Sequence, residues 1–268
     1  MFQKKAKAES IKKQRKKKLD RVRPFLRSEP LGQTDAGAFD FLSPEVRQKF
    51  GVIDTDNVSA HGYDRYAREL IESHSDGLVL DCGSGLRSEY LINVINYEIV
   101  AYLSTDIIGV AEELPFADNT FDVVLSLNVL EHVRNPFKAA SELIRVLKPN
   151  ANLYCVVPFL QPLHGYPNHY YNMTAAGLKN LFSDRLDIRD HFVYKSGKPI
   201  HALRWILQSW KDGLESEQTR EKFLEMKVKD LLHDPYKQLE QDYVKELSKE
   251  KDFELACTTS LIARKKNA

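Results

Sequence analysis

The chain is poor in the residues that staple secreted domains or anchor membrane proteins. Cys82, Cys155 and Cys257 are its only cysteines. An odd, widely spaced set excludes a disulfide framework and a multi-cysteine zinc site, and reads as reduced thiols packed as small apolar groups. No apolar run reaches the roughly eighteen residues a membrane span needs, and the first residues are too basic and too poor in apolar side chains for a secretory leader. A cytoplasmic protein is the expectation. Net charge is nearly absent too, at +1 over 268 residues, but this hides an asymmetry. Residues 1–27 hold twelve Lys and Arg against Glu9 and Asp20, a net +10 that leaves the rest at −9. Such a block repels itself, so 1–27 is expected to be a flexible, solvated arm, with contact to nucleic acid or an anionic surface as its functional alternative.

What is present is a normal globular complement, 43% hydrophobic and 10% aromatic, enough for one good core. Its focal stretch is Leu78-Val-Leu-Asp-Cys-Gly-Ser-Gly85. An aliphatic run ending in an acid and two glycines reads as a buried strand entering a turn where a ligand can approach bare backbone. Further strand signals recur at 94–99, 105–110, 121–127 and 152–157, with a helix over 136–147 stopped by Lys148-Pro149-Asn150. Before them, Tyr63, Tyr66, Ala67, Leu70 and Ile71 mark one face of a helix over 63–73. Apolar strands separated by turns and helices predict an α/β fold with a Rossmann-like, doubly wound, mostly parallel sheet. Two β-rich runs, 186–194 and 253–263, predict a terminal antiparallel hairpin flanking a helical, highly charged insertion over about 201–249. The organisation expected is therefore an arm over 1–27, a loop-rich extension over 28–60 anchored by Phe39, Phe41 and Leu42, and one domain over 61–268.

In open α/β sheets the ligand sits beyond the carboxyl ends of the strands, where Asp81, Gly83 and Gly85 fall. The third glycine of the dinucleotide fingerprint is missing, so this fragment alone is weak. The series that follows strengthens it: Glu98 ending the second strand, Leu114-Pro-Phe116, Phe121-Asp122, Asn128-Val-Leu-Glu-His132 and Arg145-Val-Leu-Lys-Pro149. Here the chain resembles the class I S-adenosylmethionine-dependent methyltransferases, specifically the branch with the LPF…FD…LEH…RVLKP pattern, over about 60–187. The resemblance implies S-adenosyl-L-methionine as cofactor. It assigns Asp81 and the backbone of Gly83 and Gly85 to the methionine moiety, Glu98 to the ribose, Val110 and Ala111 to the adenine border, and Leu127 and Asn128 to the methionine side. Asp106 is the rival ribose acid, because 85–98 is short for a full crossover helix. An acid for the adenine amino group is replaced here by Val110, leaving that contact to backbone or to Glu112. Beside these stand structural readings: Asp122 and Glu131 fixing turns and caps, His132 bonding at the sheet edge, and Cys82 filling space.

Methyl transfer is an in-line displacement, so the protein aligns donor and acceptor and, for an oxygen acceptor, removes a proton. The segment 158–174, dense in proline and aromatics, offers His164 and His169 as bases and Tyr166, Tyr170 and Tyr171 as pocket walls. Thr174 reads as an ordinary helix cap, and the apolar stripe around Trp205 and Trp210 as packing. The function expected is methylation, most directly O-methylation, of a small-molecule or sugar-like acceptor. Alternatives are an RNA or membrane-associated quinone or lipid acceptor held by the basic arm, and a non-catalytic donor-binding interaction module. No Asn/Asp-Pro-Pro-Tyr stretch is present, which argues against base N-methylation.

Overall fold

The computed structural model describes residues 2–53, 55, 58, 60–165 and 168–265, with residues 2–7 described as backbone only. The chain divides into two compact units, one formed by Met1–Phe159 with Gly165–Asp190, the other by Leu160–His164 with His191–Ala268.

The first unit is built on a seven-stranded sheet in the order β1-β2-β5-β4-β3-β6-β7. The strands are β1 (Gly32–Gln33), β2 (Phe39–Asp40), β3 (Val79–Cys82), β4 (Val94–Glu98), β5 (Ile107–Ile108), β6 (Phe121–Leu127) and β7 (Leu147–Val156). All pairs are parallel except β1 with β2. All four residues of β3 are buried, as a central strand covered on both faces requires. Alternate residues divide between the faces. Leu80, Ile95, Ile107 and Val124 join one core with helices α1 (Phe2–Val22), α4 (Pro136–Val146) and α5 (Ala175–Phe182). Val79, Val94, Val123 and Leu125 pack instead with Ala67 and Ile71 of α3 (Arg65–Glu72). Helices α3 and α4 start where a side chain satisfies a free backbone N–H: Asp64 accepts from Ala67 N at 2.8 Å, and Asn135 from Lys138 N at 3.0 Å.

The expected arm is a 21-residue helix docked on the sheet. Ile11, Leu19 and Val22 are buried on one face, and so are Arg15 and Lys18. Arg15 donates to Ala36 O at 2.6 Å and to Leu103 O, and Lys18 pairs with the buried Asp106. Charge density alone predicted solvation; a buried carboxylate waiting for the two cations reverses that outcome. The loop-rich extension likewise supplies β1, β2 and a helix α2 (Pro44–Phe50), and Phe39 and Leu42 are buried as anchors.

The terminal hairpin is not formed: among the described residues, 186–194 and 253–263 contain no strand. Asp187, Arg189, Asp190 and His191 break the first run. In the second, Ser248 caps a helix by accepting from Lys251 N at 3.2 Å, and this draws Phe253–Leu255 into it. A local cap forms without closing a loop of some sixty residues, which the hairpin requires. The second unit comprises helices α6 (Pro199–Gly213), α7 (Glu217–Glu225), α8 (Val228–Leu231), α9 (Asp242–Lys245) and α10 (Lys249–Leu255). It is held by Trp210 stacking on Phe223 at 6.1 Å, by Trp210 Nε1 donating to Tyr243 O at 2.6 Å, and by Lys251 bonded to Ser209 and Glu254.

Candidate active site

Register brings the motif positions of the first unit to one level. Cys82 lies beside Tyr97 and Asp81 beside Leu125, so the residues one or two steps on, Gly83, Glu98 and Leu127, sit together at the carboxyl edge. Gly83 N and Ser84 N both donate to Tyr97 O, at 2.8 and 3.1 Å, turning the chain sharply as it leaves β3. Gly83 and Gly85 have φ of +75° and +57°. A Cβ on Gly83 would lie 2.4 Å from Val129 Cγ2, and one on Gly85 would lie 2.9 Å from His61 Nε2. Glycine is thus demanded by both backbone and space. Asn128, the residue after β6, is also left-handed at φ +57°, with its N–H on Val156 O at 2.9 Å.

The acids divide in their duties. Glu98 Oε2 accepts from Gly85 N and Oε1 from Ile99 N, both at 2.7 Å. Burial raises its pKa, against the pull of those N–H groups. The backbone N–H of Val100 also acts on it, and a carboxylate has about four acceptor positions, so acceptor capacity remains for a ligand entering over the glycine turn. Asp106 is instead enclosed by Lys18, Arg15 and Tyr90 and accepts from Asn96 N at 2.9 Å. Asp81 is wholly buried, held by Arg87 Nε at 2.7 Å, Arg87 Nη2 at 3.0 Å and Tyr63 OH at 2.8 Å, while the Arg87 guanidinium lies 4.3 Å from the Tyr63 ring centroid. Arg87, Tyr63 and His61 were missed in the sequence, where only the proximity of Arg87 to the glycines hinted at a role. Val110 is buried and its carbonyl already accepts from Tyr97 OH and Glu113 N; Glu112 accepts from Asn135 N at 3.3 Å. Ala111 is partly buried beside them. Burial pushes the Cys82 thiol well above its ordinary value, consistent with a packing role.

The motif residues outside this edge are braces. Asp122 accepts from Leu78 N at 2.9 Å and pairs with Lys148 at 2.8 Å, tying β6 to β3 and β7. Arg145 clasps Glu142 through Nε and Nη2 at 2.7 and 2.8 Å and donates to Leu114 O, Phe116 O and Asp118. This links the LPF and RVLKP segments physically.

After β6, Glu131 is fully buried, and its backbone carbonyl accepts from Tyr170 N and Tyr171 N at 2.7 and 3.2 Å. It does not cap a turn with its side chain: neither carboxyl oxygen has a hydrogen-bond partner among the described residues, and burial pushes its pKa up to about 8. His132 stands beside it and packs edge-to-face on His169, ring centroids 5.4 Å apart. His169 Nε2 lies 2.8 Å from Asn172 Oδ1. Tyr170 and Tyr171 are exposed, Tyr171 OH donating to Arg134 O at 3.3 Å. His164 belongs to the second unit, where its Nδ1 lies 2.9 Å from Pro162 O and its ring 5.0 Å from Trp205. Tyr166 lies outside the described residues.

A family described as a methyltransferase domain matches residues 78–155, the span from β3 to β7. An uncharacterized methyltransferase of Mycolicibacterium vanbaalenii is 30% identical over 194 residues, covering 63% of this chain and 75% of that protein. The chain belongs to the class I S-adenosylmethionine-dependent methyltransferases. An uncharacterized protein of Methanocaldococcus jannaschii is 42% identical over 97 residues, 32% of this chain and 43% of that protein. A ubiquinone/menaquinone biosynthesis C-methyltransferase of Idiomarina loihiensis is 38% identical over 79 residues, 30% of each chain. The chain thus spans less than half the length of these two relatives. A solved structure from Thermotoga maritima, described as a SAM-dependent methyltransferase and possible histamine N-methyltransferase, has 22% identity and a TM-score of 0.35, covering 44% of this chain and 69% of that one. The family's cofactor is S-adenosylmethionine. The glycine cradle without Cβ atoms and the remaining acceptor capacity of Glu98 fit such a molecule, which has ribose hydroxyls to donate and a methionine chain to lay on backbone. Among the described residues no helix is long and apolar enough to cross a membrane.

Proposed function

We propose that the chain transfers a methyl group from S-adenosylmethionine to the oxygen of a small-molecule or sugar-like acceptor. The observation that carries this is the shared level of Gly83, Glu98 and Leu127 at the carboxyl edge of three neighbouring parallel strands. In this reading Glu98 takes the ribose hydroxyls, the Gly83–Gly85 backbone and Asn128 border the methionine chain, and Val110 and Ala111 flank the adenine. Asp81 acts at one remove, its ion pair with Arg87 fixing the turn. His169, stacked on His132 beyond β6, is the base that takes the acceptor proton, and Tyr170 and Tyr171 wall the acceptor. The methyl carbon leaves the sulfonium sulfur as the acceptor oxygen attacks in line, and the C–S bonding pair stays on sulfur.

Isothermal titration with S-adenosylmethionine and S-adenosylhomocysteine tests the donor half; absence of binding to intact protein ends the reading. A cell-extract screen with methyl-labelled donor tests the acceptor half. Donor binding with no labelled product from any extract favours a non-catalytic module. A second reading draws on the outer face of α1, where Lys13, Lys16 and Lys17 are exposed together. It makes the acceptor an RNA or an anionic lipid-phase molecule. Turnover on the acceptor found by the screen then falls steeply between low and high salt, and flat salt dependence rejects it.

A further inference from the structure

A serine in the loop from β4 to β5 is built against the glycine turn. Ser104 is 2% exposed, and its hydroxyl accepts from Arg87 N at 2.9 Å while donating to Gly85 O at 3.4 Å, an oxygen that also accepts from Ser84 Oγ at 3.2 Å. One buried hydroxyl thus joins both ends of the 85–87 turn. On its other side Gly85 gives its N–H to Glu98 Oε2 at 2.7 Å. Gly85 therefore stands between Ser104 and the carboxylate, and a residue without a Cβ at φ +57° drifts unless its peptides are held. Filling space at 104 needs no hydroxyl. An alanine there would pack as well, but it would leave Arg87 N buried without its acceptor.

Ser104 is itself fixed from behind. Its carbonyl accepts from Asn96 Nδ2 at 2.8 Å, and Thr105 Oγ1 stiffens the loop by accepting from Tyr102 N and donating to Val100 O, both at 3.0 Å. The carbonyl one residue earlier, Leu103 O, accepts from Arg15 Nη2 at 2.5 Å. Arg15 is 1% exposed on α1, and its Nη1 holds Ala36 O at 2.6 Å. Bonds from a guanidinium are roughly twice as strong as neutral ones, so α1 grips this loop firmly. A continuous series of bonds runs from α1 through Leu103 and Ser104 to the glycine turn and on to Glu98.

We propose that Ser104 is a positioning residue for the donor and that Arg15 acts behind it. Together they hold the 85–87 turn and the Glu98 carboxylate in the geometry that S-adenosylmethionine meets. The role rests on the methyl-transfer reading, because that reading puts the donor over this turn. It makes α1 a working part of the donor site although no residue of α1 touches the donor.

The test uses the full chain with Ser104→Ala, Arg15→Met, the double variant, and Thr120→Val as a control. Thr120 is a buried hydroxyl bonded elsewhere, to Ala117 O at 2.7 Å. Amide hydrogen exchange at Gly85 and Arg87, followed by nuclear magnetic resonance without ligand, reads the turn; isothermal titration with S-adenosylhomocysteine reads its consequence. Ser104→Ala should speed exchange at both amides and weaken binding by about five- to tenfold, whereas Thr120→Val changes neither. Arg15→Met should show the same two changes, and the double variant should bind no more weakly than the weaker single one, since both act through one series of bonds. If Arg15→Met does not fold, Ser104→Ala carries the test. Donor-product binding by Ser104→Ala as tight as that of the unaltered chain overturns this inference and leaves the methyl-transfer reading standing. Losses that multiply in the double variant overturn the part given to α1. No binding by the unaltered chain ends the methyl-transfer reading and this role with it.

Discussion

Glycine at 83 is required twice over, by a positive φ and by the side chain of Val129. Gly83→Ala is expected to cost about 3 kcal/mol in urea unfolding and to abolish donor binding. Adding Val129→Ala removes the steric part only, so the double variant regains about 1 kcal/mol and leaves the backbone strain. Glu98 and Asp106 are separable in the same way. Sequence spacing left both open as ribose acids, but the Asp106 carboxylate is consumed by Lys18, Arg15 and Asn96. Glu98→Gln should weaken donor affinity about tenfold or more in titration calorimetry, whereas Asp106→Asn should change it less than about threefold and lower stability instead. If Asp106→Asn carries the larger affinity loss, the assignment of Glu98 is wrong.

Two elements carry charges whose meaning depends on their surroundings. Helix α1 places Lys18 against Asp106, and burial lowers the Lys18 pKa although the carboxylate opposes the shift. Lys18→Met strands a buried carboxylate and should cost about 3–5 kcal/mol; Lys18→Met with Asp106→Asn should recover most of it, because Asn still accepts from Asn96 N. An equally stable single variant would show that α1 is the solvated arm its composition predicted. Helix α4 holds the LPF loop through Arg145 and Glu142. Burial opposes ionisation of Glu142, but the Arg145 fork and Leu114 N–H outweigh it and hold its pKa below the ordinary value. The stability from this pair is complete above the unfolded carboxylate pKa of about 4.3 and disappears as pH falls through the lower folded value. Arg145→Met should therefore trail the unaltered chain by about 3 kcal/mol at pH 7 in urea unfolding, with the gap closing below about pH 4. A gap independent of pH would assign Arg145 a packing role alone.

At the scale of the molecule, donor binding should report on the first unit. Saturating S-adenosylmethionine at about 100 times its dissociation constant adds about 2.7 kcal/mol to whatever cooperative unit contains the site. Calorimetry should show one transition moving up with donor while any second transition, from the helical unit of 191–268, stays in place. Movement of neither would remove the carboxyl edge of the sheet as the donor site.

Much of the first unit was legible because its signals are local. The run 78–85 names a buried strand and a left-handed turn by residue type alone, 136–147 reads as a helix from its apolar spacing and cap, and the ordered motifs placed Glu98 and Asn128 at strand ends. These features depend on neighbours a few residues away. The sequence by itself therefore determined the parallel sheet, its glycine cradle and the family. Only tertiary structure decided that a basic arm is a docked helix, that Asp81 belongs to Arg87 and Tyr63, that 186–194 and 253–263 do not pair, and that Glu131 is a buried carboxyl without a hydrogen-bond donor among the described residues. In each case the outcome turns on the free energy of a charge or a strand edge, and that is set by which distant group, or how little water, the fold brings against it.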